Sequence, residues 1–280
     1  MNQPVFRGMQ MGTVDRDREI NLLREYIAGI ESDCNGIGII PRNFDRYPFD
    51  MMGLGLLSKA FGLAQSAFAL LDSQFDDEAF GLIRSLVDCS LVLRFMTQDR
   101  DKLGERTRQY MEFAVADKQY WIYWARKSGV SQAVAEEIDE YAKSWGLVED
   151  PGAVNKHWSG EGGFSWKTMI AEHPLDGNAI PETAKKALYA LEYHQTSSYV
   201  HCLSTGIDNY LPKEAVTYKV VDRTRRWDIL FQKVLVIILR HIHACVVYTL
   251  YGLNIERPRG IDDRYSEVLK KLTPYEPKRE

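Results

Sequence analysis

Every long apolar stretch of this chain repeats with the period of a helix, and none sustains the period of two that a half-buried strand requires. A chain of that kind has helices to pack and no sheet to build. The clearest case is Pro181–Asp208, PETAKKALYALEYHQTSSYVHCLSTGID. Wound as a helix, it brings His194, Ser197, Ser198 and His201 within about a third of the circumference. Ala187, Ala190 and Leu191 share that face, so it is small and apolar with two imidazoles set into it. Lys185, Glu192, Thr196 and Tyr199 lie opposite and are expected to meet solvent. Two histidines on an inward face are either satisfied core groups or the floor of a site.

The other segments agree. Val14–Cys34 carries Ile20, Leu23, Tyr26, Ile27 and Ile30 at helical spacing, with Asp15 and Asp17 suited to a helix start. After a loop, Asp50 is expected to cap a helix reaching Ser73, whose Gly53, Gly55, Gly62 and several alanines permit close helix packing. Asp76 or Asp77 is expected to cap a third, Glu78–Thr97, apolar around most of its circumference. A fourth spans Asp101–Lys127, with Tyr110, Phe113, Trp121, Trp124 and Asp117 on one stripe, and a fifth spans Ser131–Trp145, with Glu136 and Glu140 outward. Gly146–Phe164 is the longest irregular stretch and holds His157-Trp158-Ser159-Gly160. The last long helix runs over Asp222–Tyr251. The expectation is an all-α, single-domain bundle of six to eight helices, several of them long and antiparallel. Residues 1–13 are expected to form a flexible N-terminus, 14–255 the helical domain, and 256–280 a partly disordered tail with one short helix.

Composition narrows the partners. A formal charge of −4 offers no global attraction for nucleic acid. Arg223, Arg225 and Arg226 beside Trp227 are a weak local signal at best. The longest apolar run, Val234–Leu239, is short and flanked by Lys233, Arg240, His241 and His243. It reads as a buried helix rather than a membrane span. Cys34, Cys89, Cys202 and Cys245 are far apart with no CxxC pair, as expected for reduced thiols in a cytoplasmic protein without a signal peptide.

The inward polar residues are Arg84, Asp88, Asp117, His157, His194, Ser198 and His201, with His241 and His243 in reserve. Arg84 and Asp88 stand at i and i+4, close enough to pair. They read as a surface salt bridge, as a buried network between helices, or as part of a working site. No metal or other cofactor is expected. His194 and His201 are about 10 Å apart along the axis, no Glu-x-x-His occurs, and His241 and His243 point to nearly opposite sides of their helix. No GxSxG, P-loop or dinucleotide fingerprint is present. Two imidazoles, an arginine for an anionic oxygen and a carboxylate to orient them are the parts of a metal-independent phosphodiester-cleaving site.

The segments AFGLIRSLVDCSLVLRFM (Ala79–Met96), KHWSG (Lys156–Gly160) and YHQTSSYVHC (Tyr193–Cys202) resemble successive motifs of the bacterial helical domain-of-unknown-function family 5677. Arg84 matches that family's arginine and Asp88 stands where it usually has Glu. Trp158-Ser159-Gly160 matches its loop, and Ser198 with His201 its Ser-x-x-His helix. The resemblance spans Asp50–Asn209. It is similar only in outline to the HEPN ribonucleases, whose Arg-x4–6-His motif is absent here. Two functions follow as expectations. One is a hydrolase directed at RNA or a nucleotide, in bacterial stress or phage defence, with His194 and His201 as acid and base, and Arg84 and Asp88 at the phosphate. Asp117, His157, Trp158 and Ser198 would bind. The other is a non-catalytic module that binds a partner protein and uses an Arg-Asp-His network to fix its bundle. A homodimer is left open, and no membrane partner is expected. Both readings require Ser198 and His201 to face Arg84 and Asp88, with Trp158 nearby.

Overall fold

The computed structural model describes residues 14–38, 42, 47–111 and 228–272, with Glu136, Glu140, Pro181 and Thr196. The fold is all-α, and among the described residues there is no strand. The principal helices are α1 (Arg16–Gly36), α2 (Pro48–Asp72), α3 (Asp76–Thr97), α4 (Asp228–Leu253) and α5 (Ile261–Leu272). Residues 103–111 are also helical. The helices α2, α3 and α4 pack on one another as the centre of the bundle, while α1 leans on α2 and α4, and α5 bridges α1 and α4.

The turn between α2 and α3 makes them an antiparallel pair. Gln74 adopts the left-handed region (φ 63°), which lets its N–H reach the Leu71 carbonyl and the Phe75 N–H reach Leu70. The same closure ends α4: Asn254 is left-handed (φ 58°), and the N–H groups of Asn254 and Ile255 bond to Tyr251 and Leu250. Arg100 locks this end from the α3 side, donating to Asn254 Oδ1 at 2.6 Å with its guanidinium over the Tyr251 ring.

Two expected caps are something else. The N-cap of α2 is Tyr47, with Pro48 in the first turn. Asp50 lies inside that turn, 2% exposed, where it accepts from the Arg42 backbone N–H (3.0 Å) and guanidinium (2.7 Å twice). Phe75 is the N-cap of α3, and Asp76, also within the helix, accepts from Arg16 of α1 at 2.9 Å. Arg16 in turn stacks over the Phe231 ring of α4 at 3.9 Å. Both carboxylates suit the positive end of a helix, but each is held by an arginine from elsewhere in the chain. Asp15 caps α1 as the sequence indicates, accepting from the Arg18 N–H.

The small residues of α2 divide. A Cβ on Gly53 would sit 2.8 Å from the Phe49 ring, and one on Gly252 of α4 would overlap the same ring, so this phenyl is seated between two glycines. A Cβ on Gly55 or Gly62 would meet nothing within 4 Å, and both residues are exposed, as is Ala69, so they do not serve packing within the described chain. Thr196 is helical, but it is fully buried rather than solvent-facing. Its helix is therefore covered there on the side that charge pattern alone assigns to water. Glu136 and Glu140 are helical and exposed, as expected.

By length and composition alone, α2 and the Leu230–Leu253 stretch of α4 could cross a membrane, and 44% and 72% of their apolar windows are buried inside the protein. Cys34, Cys89 and Cys245 are buried and unpaired, and burial pushes the Cys34 and Cys89 thiols up to about 11.

Candidate functional site

The helix α3 is buried around most of its surface, and its exceptions are informative. Arg84 and Asp88 stand one turn apart on a half-buried strip and form the i,i+4 ion pair that their spacing predicts. The Arg84 side chain keeps 13% of its exposure, whereas Asp88 keeps 46%, so the carboxylate is the member that solvent reaches. Desolvation is still the largest influence on Asp88 and raises its pKa, against the lowering effects of Arg84, then Lys59, then His241. One carboxylate thus lies in the field of cations from α2 and α3 and of an imidazole from α4.

Lys59 is the only charged residue between Asp50 and Asp72. A lysine in the middle of an otherwise apolar and small-residue helix could have marked this site from sequence. His241 enters from α4 and is 5% exposed. Its Nδ1 lies 2.5 Å from Ser90 Oγ, and that hydroxyl lies 2.8 Å from the Val87 carbonyl. The Ser90 hydroxyl thus lies between the Val87 carbonyl and the imidazole and fixes the orientation of the ring. Ser90 carried no sequence signal, because a helical serine usually bonds only to its own backbone. Tyr110, from the helical stretch after α3, feels both Cys89 and Asp88. Burial first, and those neighbours next, raise its phenol.

The arrangement offers a guanidinium and an ammonium for an anion, a half-open carboxylate with a raised pKa, and an oriented imidazole at the back. Of the residues singled out from sequence, Arg84 and Asp88 are brought together, and His241 joins them from reserve. Asp117, His157, Trp158, His194, Ser198 and His201 lie outside the described residues, as does the predicted contact of Ser198 and His201 with the pair. Among the described residues, no three His, Cys, Asp or Glu side chains group as metal ligands would.

His243 faces away from this cluster, toward α1 and α5, where it meets Tyr26 and Asp262. The two histidines of α4 therefore serve different interfaces, as their spacing of two along a helix requires.

No curated protein and no solved structure matches this chain. Residues 50–215 match a family of unknown function, DUF5677. The matched span begins in α2 and takes in Lys59, Arg84, Asp88 and Ser90, while α1, α4 and α5 lie outside it. Since that span is more than half of the chain and carries the Arg84–Asp88 pair, the protein belongs to the DUF5677 family.

Proposed function

We propose that this protein is a metal-independent hydrolase acting on a phosphodiester, in RNA or in a nucleotide. The observation that carries the reading is the half-open Asp88 carboxylate, paired with Arg84 and lying in the field of Lys59 and His241 midway along a helix whose residues are mostly buried. Among the described residues the cluster sets two cations, Arg84 and Lys59, beside one carboxylate that solvent reaches, a charge balance that suits the binding of an anionic group. In this reading Arg84 and Lys59 take the phosphate oxygens, where they offset the charge that grows in the transition state. Asp88 orients Arg84. His194 and His201 supply base and acid, roles to which the imidazole group is suited at physiological pH. His241 is too enclosed to touch substrate and acts by holding its part of the cluster in place. The reading takes the chain to be cytoplasmic, in a stress or phage-defence role, with the apolar stretch of α4 used in the core rather than in lipid.

The test is cleavage of single-stranded RNA and of dinucleotides by the full chain. Arg84→Ala and His201→Ala should each lower the rate by about 100-fold or more while the folded fraction stays intact. Cleavage that survives both substitutions in a folded protein would remove the proposal. A second reading has its own observation: His241 is 5% exposed and bonded to Ser90, as in a network whose task is to join α3 to α4. A non-catalytic module of that kind, offering its surface to a partner protein, predicts no cleavage at all. It also predicts a melting temperature that falls on every substitution in the cluster.

A further inference from the structure

The second histidine of α4 sits in a constellation that the proposed reaction does not use. His243 Nδ1 is 3.0 Å from the Tyr26 hydroxyl of α1, and Nε2 is 3.2 Å from Asp262 Oδ1 in the first turn of α5. Its ring stacks on Tyr265 with centroids 4.2 Å apart and planes 21° from parallel. One imidazole on α4 therefore touches both α1 and α5, the two described helices with which α4 encloses this contact.

We infer that α5 is a pH-sensitive clasp, closed by neutral His243 and opened locally when that ring takes a second proton. The hydrogen-bond inventory explains why. In the neutral ring with its proton on Nε2, Nε2–H donates to Asp262 and the Tyr26 hydroxyl donates to Nδ1, so every atom is used once. A proton on Nδ1 sets a donor against a donor, and Tyr26 must turn its hydroxyl proton away although only 6% of the residue is exposed.

The charged and titratable neighbours must be weighed from every side. Asp262 favours the imidazolium, but it shares its carboxylate with Arg257, 2.9 Å away in the segment between α4 and α5. Arg264 of α5 is engaged by Asp33 of α1, and Tyr26 and Tyr265 present phenols. Burial outweighs Asp262, and the imidazole is held below its usual range. A base whose folded pKa is depressed binds fewer protons folded than open. The clasp is therefore secure above the ordinary histidine range and loses its hold as pH falls through that range. Opening would uncover Ile261, Val268 and Leu272, which are 1%, 7% and 1% exposed in the closed form.

The experiment is hydrogen–deuterium exchange on the full chain at about pH 7.5 and about pH 5, corrected for the chemical exchange rate, with α5 amides read against those of α3. The opening constant of α5 relative to α3 should rise roughly three- to tenfold on acidification. His243→Phe keeps the stack on Tyr265 and cannot titrate, so its ratio should be flat. Asp262→Asn keeps an acceptor for Nε2–H but removes the charge that favours the imidazolium, so its midpoint should move to lower pH. A flat ratio in the unaltered protein overturns the inference, and so does a pH dependence that survives in His243→Phe. If His243→Phe does not hold α5 at any pH, Asp262→Asn still decides, because an unmoved or raised midpoint excludes His243 as the titrating group.

Discussion

Two histidines two residues apart on α4 occupy opposite environments. His241 is 5% exposed and contacts α3, which lies with α2 at the centre of the bundle. The His243 side chain is 15% exposed and contacts α1 and α5, the two helices that flank that centre. Each has a hydroxyl partner at Nδ1, Ser90 in one case and Tyr26 in the other. His243 also has a carboxylate at Nε2 and a ring to stack on. The same side chain on the same helix thus fixes the body of the bundle on one face and clasps an accessory helix on the other. What separates the roles is the partner helix: α3 is buried along most of its length, whereas α5 buries little beyond Ile261, Val268 and Leu272.

The two histidines differ in role only if α1 is fixed independently of the clasp, and Arg16–Asp76 is the most buried of the ion pairs that fix it. The side chains of this pair are 12% and 9% exposed, and Arg16 also covers Phe231. Asp76→Ala leaves a buried guanidinium without its carboxylate and should cost about 3–5 kcal/mol in urea denaturation, the largest effect expected here. Exchange should rise in α1 and α5 together, because Tyr26 leaves with α1. If α1 loosens while α5 stays protected, the clasp does not depend on Tyr26. His241→Ala comes next. It opens a cavity between α3 and α4 and removes the partner of Ser90, for about 2–4 kcal/mol of global stability. His243→Ala should cost about 1 kcal/mol, with the change in exchange confined to α5. Equal global costs for the two alanine variants would erase the distinction between body and clasp.

Much of this was legible from periodicity. The spans of α1 and α3, the i,i+4 pairing of Arg84 with Asp88, the opposed directions of His241 and His243, and a short helix after residue 255 follow from 3.6 residues per turn. What failed was whatever depended on a partner remote in sequence. Asp50 and Asp76 look like caps because acids favour helix starts, yet Arg42 and Arg16 claim them as ion-pair partners inside the first turn. Gly55 and Gly62 look like packing glycines beside Gly53, but only Gly53 meets a Phe49 that is itself seated against another helix. Thr196 shares a face with Lys185 and Glu192, a pattern that points to solvent, yet the residue is fully buried. For the site, the arginine and its acid were readable. Lys59 stands out as the lone charge between Asp50 and Asp72, whereas Ser90 gives no sequence signal, because its role comes from α4 passing close to it.

The smallest expected effect is the most discriminating, because Asp88 of α3 and His243 of α4 should respond to pH with opposite signs. Burial raises the pKa of Asp88, so the folded state binds its proton more readily than the unfolded chain does. Its contribution is favourable when the carboxyl is protonated and is lost as pH rises through the folded value, a window that begins near the ordinary carboxylate range. His243 does the reverse, with a contribution present above the ordinary histidine range and lost on acidification. The difference in unfolding free energy between the unaltered protein and Asp88→Asn should therefore shrink or change sign from about pH 6 down to about pH 4, to the benefit of the unaltered protein. The difference from His243→Phe should run against the unaltered protein as pH falls from about 7.5 to about 5. Because Asp88 is 46% exposed, its slope is the shallower, and added salt should weaken it further. Slopes of the same sign would mean that Asp88 is governed by Arg84 and Lys59 rather than by burial, and the Arg84–Asp88 pair would then be an ordinary helix salt bridge.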